Sequence, residues 1–496
     1  MLFDKISPEA AGVKSSIVKR YIELLERRGI PMHSVLMMKG DKLFCECYFA
    51  PYNKDGVHRM YSQTKSFVSV AIGLLIEEGK LSLDDRIAEL FPEKVDKELP
   101  AGLREQTVRH MLTMSTVGYG ESWFGNEDKD RTHLYFNCYR NMNRYPNTLW
   151  EYDSQGSQVL SNLVEKLSGM SLFDYLYTKI FTHLGTFKTA TVLKTPNGDS
   201  WGDSAMLCTP RDIMSFARFV MNYGVWNGKR IMNEEYLKEA TSKIVDNREG
   251  PRTMAFHHGY GYQIWRTERN GFAFVGMGNE LTVCLPDDDV IFVCTADCQG
   301  DDDTGREYII NHFFELIMDE MENFPLEENA EAYSELCEYE NTRRLFALTG
   351  EKDSPTRKRI DGTTYILEEN RMGIKYIKFK FNNEGKGGRL CYENEQGYKE
   401  LPFKINENEF CKFPQLGYSN DVGGIRTADG FMYDAAVSAT WLDGSKIMLY
   451  VQIIDRYLGT CNMTFAFYKD KLSVVMRKCA EDFLDEYYGY AVGALR

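Results

Sequence analysis

The 496-residue chain lacks any apolar run of 18 residues, so no transmembrane helix is expected. It is short of basic charge: 59 Lys and Arg stand against 73 Asp and Glu, a net charge of −14. That deficit argues against nucleic acid, whose binding depends on a basic surface, and against an anionic membrane. The start, Met1-Leu2-Phe3-Asp4-Lys5-Ile6-Ser7-Pro8, has no basic segment followed by an apolar one and a small-residue cleavage site. No signal peptide is therefore expected, and the expected location is cytoplasmic. Metal patterns are also missing. Cys45 and Cys47 find no second Cys or His pair at a recognised spacing, and the twelve cysteines read as thiols of a reducing compartment. His257-His258 is the tightest His pair, but adjacent residues do not share a face of a helix or strand. There is no His-Glu-x-x-His, no phosphate-binding glycine loop, no internal repeat and no low-complexity tract. Neither a metal nor an organic cofactor is expected.

What is present is an ordinary globular composition, 43% hydrophobic and 27% charged, with length for several domains and a sizeable core. Residues 9–28 read as a helix, and 33–49 as a hairpin turning at Gly40-Asp41. Helices are expected over 62–78, 107–114, 157–167, 209–223 and 306–321. Residues 260–266, 272–275, 280–285 and 290–295 read as sequential antiparallel strands. The order gives an α+β pattern rather than alternating βαβ units. These features place a first domain at 1–324 and an acidic helical linker at 325–355. A smaller β-rich domain at 356–496 follows, with a helix expected over 473–488.

The sharpest chemical signal is Ser62-Gln63-Thr64-Lys65, which opens the apolar run from Ser66 to Ile76. At helical pitch the Ser hydroxyl and Lys amine lie on one face, side by side. A serine hydroxyl needs an adjacent base to become a nucleophile. A helix apolar nearly all round is a buried one, and its first turn supplies a desolvated setting. The pattern alone is weak, since Ser16-Ile17-Val18-Lys19 matches it in a segment that reads as a surface helix. Acyl transfer also requires a proton donor and an oxyanion hole. Tyr152, in the polar loop Trp150-Glu151-Tyr152-Asp153-Ser154-Gln155-Gly156, is the candidate donor. Backbone amides of Ser62 and of the segment Gly276-Met277-Gly278-Asn279 are the candidate oxyanion donors. A rival, Gly198-Asp199-Ser200-Trp201-Gly202, matches the nucleophile elbow, yet no strand precedes it and the next helix begins only at Thr209.

With these residues in place, positions 5 to 320 resemble the serine β-lactamase-like hydrolases: class C β-lactamases, D,D-peptidases and related esterases and amidases. Met60-Tyr61-Ser62-Gln63-Thr64-Lys65 looks like the family's nucleophile motif. Lys80 to Asp85, Thr107 to Met114, Leu207 to Asp212, Gly224 to Gly228 and Tyr260 to Trp265 follow in the family's order. The resemblance implies a β-lactamase/transpeptidase-like fold, an antiparallel sheet flanked by helices with a helical subdomain. It also implies Ser62 as nucleophile and Lys65 with Tyr152 as general acid and base. Tyr152-Asp153-Ser154 replaces the family's Tyr-x-Asn, which places Ser154 behind the tyrosine and looks most like the 6-aminohexanoate-dimer hydrolase branch. The strand motif Lys/His-x-Gly has no cation here in Phe274-Val275-Gly276-Met277-Gly278-Asn279-Glu280, and the oxyanion amide falls on Met277 or on Glu280. The implied partner is a small amide or ester, and self-association is compatible with the chain. The alternatives are β-lactamase or D,D-peptidase activity, or a binding and sensing module that retains the fold.

Overall fold

The computed structural model describes all residues except 1, 2, 121, 139, 251–253, 420, 425–430 and 482. It divides into two compact units: Met1–Arg344 with Asp421–Gly423, and Leu345–Asn420 with Gly424–Arg496.

In the first unit the strands that bear on the site are β1 (Asp4–Lys5), β2 (Met32–Lys39), β3 (Lys42–Tyr48), β4 (His58–Arg59), β5 (Met206–Cys208), β6 (Trp265–Arg266), β7 (Phe272–Gly276), β8 (Glu280–Leu285) and β9 (Val290–Ala296). Seven of them form a sheet in the order β1-β3-β2-β9-β8-β7-β6. Its members pair antiparallel except β1 with β3. β4 and β5 pair apart from it, His58 opposite Cys208. The helices that bear on the site are α1 (Ser15–Arg28), α2 (Thr64–Glu77), α3 (Arg131–Asn137), α4 (Ser154–Ser168), α5 (Pro210–Met221), α6 (Asp302–His312) and α7 (Ala330–Asn341). Of the strand expected over 260–266, only Trp265–Arg266 forms.

Helix α2 is buried on every side from Thr64 to Leu75. It lies between a core cluster with α4 and α5 and the sheet; Phe67 stacks on Phe216 of α5, centroids 4.0 Å apart. Gly73 lets Tyr236 approach, since a Cβ there would lie 2.4 Å from that ring. A second cluster on the other sheet face gathers Tyr21, Ile22 and Leu25 of α1 with Ile309, Ile310 and Phe313. The acidic stretch expected as a linker contributes α7 to this unit, with Leu336 in the same cluster and Lys19 of α1 paired with Glu335 at 3.0 Å.

The second unit is a β-barrel of ten strands: β10 (Thr364–Leu367), β11 (Tyr376–Phe381), β12 (Gly387–Asn394), β13 (Gly397–Ile405), β14 (Glu409–Leu416), β15 (Met432–Asp443), β16 (Lys446–Ile454), β17 (Leu458–Tyr468), β18 (Lys471–Ala480) and β19 (Gly489–Leu495). A parallel pairing of Lys404 and Ile405 with Ser438 and Ala439 links β13 to β15 and closes the ring. The helix expected over 473–488 is corrected here. Leu472, Val474 and Met476 point inward and alternate with exposed neighbours, a period of two, so the segment pairs as strand β18.

Candidate active site

Ser62 lies on the 3-10 turn Tyr61–Gln63 that joins β4 to α2. Tyr61 adopts φ +44°, a left-handed backbone unfavourable for a bulky residue. Bonds on both sides hold it. The Met60 N–H donates to the Met206 carbonyl at 2.8 Å. Thr64 Oγ1 donates to the Tyr61 carbonyl at 2.6 Å and accepts from the Met206 N–H at 3.0 Å. Gln63 Oε1 accepts from Thr282 Oγ1 at 2.7 Å, tying the turn to β8.

Lys65, only 1% exposed, reaches back along the helix face. Its Nζ donates to Ser62 Oγ at 2.8 Å and to the main-chain oxygen of Asp203 at 2.6 Å. The same nitrogen stands 5.0 Å from the ring centroid of Tyr152. Ser62, Lys65 and Tyr152 are therefore brought together at one place in the fold. The other Ser-x-x-Lys is not: Ser16 is exposed on α1 and Lys19 pairs with Glu335.

The Tyr152 loop is held by Asp153, whose carboxylate the sequence reading passed over. It is buried, accepts from the Gly156 N–H at 3.0 Å as the N-cap of α4, and accepts from Thr116 Oγ1 at 2.8 Å. An Asp three residues before a buried glycine at a helix start is the cap signature that could have found it. Ser154, half-buried, lines a cavity of about 70 Å³ with Trp123, Arg131, Leu134, Tyr135, Gln155, Gln158 and Asp203. Arg131 forms one wall, bonded to Gln158 Oε1 at 3.2 Å and Asp203 Oδ1 at 3.3 Å, with its guanidinium 3.1 Å from the Trp123 ring centroid.

The segment 276–280 forms the turn between β7 and β8, with Gly276 opposite Glu280. A Cβ on Gly276 would stand 2.6 Å from the Met60 carbonyl oxygen, so only glycine lets this strand end lie against the nucleophile turn. Met277 follows, partly exposed, and Gly278 and Asn279 take φ of +79° and +73° to reverse the chain. Glu280 is fully buried and turns its carboxylate inward, with Oε1 accepting from the Ala296 N–H at 3.3 Å. Phe274, two residues before Gly276, is buried against Phe216, ring centroids 5.6 Å apart.

The Gly198–Gly202 elbow pattern is structural. Ser200 is 6% exposed, its N–H donates to Glu165 Oε1 at 3.1 Å and its carbonyl accepts from Gln158 Nε2 at 2.8 Å. Cys45 and Cys47 are buried on β3, with Cys47 Sγ against the carbonyl of Glu340. Among the described residues, no three His, Cys, Asp or Glu side chains are placed to hold a metal ion. Among them too, no helix is long and apolar enough to cross a membrane.

A 6-aminohexanoate-dimer hydrolase of Paenarthrobacter ureafaciens is 24% identical over 277 residues, covering 52% of this chain and 70% of that protein. The structure is similar to a putative 6-aminohexanoate-dimer hydrolase from Bacillus anthracis, with TM-score 0.53 and 16% identity over 64% of this chain and 86% of that one. It is also similar to a putative β-lactamase from Bacteroides dorei, with TM-score 0.51 and 15% identity over 61% of this chain and 98% of that one. The β-lactamase family model matches residues 17–312, more than half the chain, and the chain belongs to that family of serine β-lactamase-like hydrolases.

Proposed function

We propose that the first unit is a serine hydrolase that cleaves a small amide or ester through an acyl-enzyme. The observation that carries this reading is the 2.8 Å bond from Lys65 Nζ to Ser62 Oγ in a buried setting, beside the Tyr152 ring. Ser62 Oγ attacks the carbonyl carbon and gives its proton to the Lys65/Tyr152 pair. The same pair returns a proton to the departing amine or alkoxide. Water then enters, passes a proton to the pair and releases the acid, restoring Ser62 Oγ–H. The two groups share one proton inventory, so base and acid are properties of the pair. Backbone amides of Ser62 and Met277 are the oxyanion donors in this reading, and the closeness of Gly276 to Met60 supports Met277 over Glu280.

One feature favours a non-β-lactam substrate. The residue two before Gly276, where a carboxylate-binding cation would stand, is the buried Phe274. The name of the Paenarthrobacter relative points the same way, to an amide. A cytoplasmic location belongs to the same proposal, supported by twelve cysteines present as thiols.

The test is a panel of acyl esters and N-acyl amino acid amides, with Ser62→Ala as control. The expected result is turnover of at least one substrate and its loss in Ser62→Ala. Wild-type rates in Ser62→Ala would overturn the nucleophile, and efficient nitrocefin hydrolysis would overturn the preference against β-lactams.

A further inference from the structure

Behind the nucleophile turn lies a row of ionisable groups that the proposed chemistry leaves unused. His33 of β2, His58 of β4 and Glu280 of β8 are 1%, 4% and 0% exposed. His33 Nδ1 and His58 Nε2 are 2.7 Å apart. His58 Nδ1 faces two oxygens, the Arg59 carbonyl at 3.0 Å and Glu280 Oε2 at 3.4 Å. The carbonyl can only accept, so His58 Nδ1 carries a proton. In a neutral ring Nε2 is then bare and accepts from His33 Nδ1–H. Burial keeps both rings neutral: it pushes His33 well below the usual histidine range and His58 down to about 4. Tyr52 stacks on His33, centroids 4.0 Å apart, and also packs on His58 at 5.5 Å.

Burying a carboxylate is costly unless hydrogen bonds compensate it. This one sits where it can act on geometry. His58 precedes Ser62 by four residues, on the strand that delivers the turn. Glu280 pairs across the hairpin with Gly276, which touches that turn. His33 anchors the pair to β2, next to β9 in the sheet.

We propose that the hydrogen-bonded pair His33–His58, with the Glu280 carboxylate packed 3.4 Å from His58 Nδ1, positions the 276–280 hairpin against Ser62, setting the distance between the two oxyanion amides. They are positioning residues, and the inference rests on the reading of Ser62 as nucleophile and of the hairpin as oxyanion donor. An oxyanion hole works only when both donors meet the developing charge within hydrogen-bond distance. A misplacement of about 1 Å is enough to cost roughly 10²-fold in rate.

The experiment compares full-length wild type, Glu280→Gln, His58→Phe, His58→Asn and His33→Gln. It reads kcat and KM on one ester, the rate of Ser62 labelling by a fluorophosphonate, and the melting temperature. Glu280→Gln and His58→Phe are expected to lower kcat and labelling by about 10- to 100-fold, with KM within about threefold. His58→Asn retains a donor near Nδ1 and is expected to recover most of the His58→Phe loss. His33→Gln, the mildest change, keeps the fold testable if the others fail to fold, and is expected to lower kcat by roughly three- to tenfold. A lowered melting temperature with wild-type kcat in the folded variants would make the cluster merely structural and overturn the inference. Wild-type protein that resists labelling, or an active Ser62→Ala, would instead overturn the nucleophile and the inference with it.

Discussion

Tyr152 lies face to face with Trp265, ring centroids 5.6 Å apart and planes 19° from parallel. Trp265 in turn packs edge-on against Trp150 and Tyr260. The tyrosine hydroxyl is thus carried on an aromatic platform rather than on a free loop. Phenylalanine at 152 keeps the stack and removes only the hydroxyl. Tyr152→Phe is expected to lower kcat/KM by about 10²- to 10⁴-fold, the range of a lost general acid or base. Its melting temperature should match wild type within a few degrees. Trp265→Leu is expected to lose both stability, about 1 kcal/mol for the aromatic pair, and rate. Equal activity of Tyr152→Phe and wild type would remove Tyr152 from the mechanism.

Lys65 donates to an alcohol oxygen and to a carbonyl, in a space that leaves it 1% exposed. An arginine there is longer, planar and always protonated, so it can neither fit between Ser62 and Asp203 nor accept a proton. Lys65→Arg is expected to lower kcat/KM by at least about 10²-fold on the panel's best substrate. Activity at a third of wild type or more would show that the amine is not needed.

Gly276 is the narrowest point between hairpin and nucleophile turn. Its missing Cβ would meet a main-chain oxygen, which cannot rotate away as a side chain could. Gly276→Ala is expected to push β7 off the turn and slow Ser62 labelling by roughly 10²-fold. Labelling at the wild-type rate would mean that the hairpin takes no part in acylation.

The pattern of the site was legible where local rules govern it. Ser62 and Lys65 share a helix face because they are three residues apart, and the apolar run after them reads as burial. Tyr152 was reachable only through the ordered landmarks, since a polar loop near a helix start is common in a chain with 30 tyrosines. The β-rich character of the second unit was legible as short strand-like runs, but its closure into a barrel and its final strands were not. Ser473 to Tyr488 mixes Val474-Val475-Met476 with charged residues, and such a short apolar run fits helix or strand until its partners are known. The His33–His58–Glu280 cluster was wholly illegible. Its members come from three strands and meet only through tertiary pairing.

Those histidines also couple stability to pH. In the unfolded chain both titrate near 6.5, whereas in the fold burial lowers His58 to about 4 and His33 well below its ordinary value. Between these values the unfolded chain binds more protons than the folded one. Stability is therefore complete above about pH 6.5 and is lost as pH falls toward 4. For His58, buried throughout, the shift corresponds to about 3 kcal/mol. The other groups facing this cluster are Glu280, the Tyr52 ring and the buried thiols Cys208 and Cys294. Burial holds both thiols well above the usual range, so they stay neutral throughout this window. Glu280→Gln removes the carboxylate of the cluster and so isolates the part of the two imidazoles. Urea midpoints measured from pH 7.5 to 4.5 are expected to fall in wild type and to fall less steeply in the double variant His33→Gln/His58→Asn. An equally steep fall in that double variant would show that the buried imidazoles do not set the acid stability of this fold.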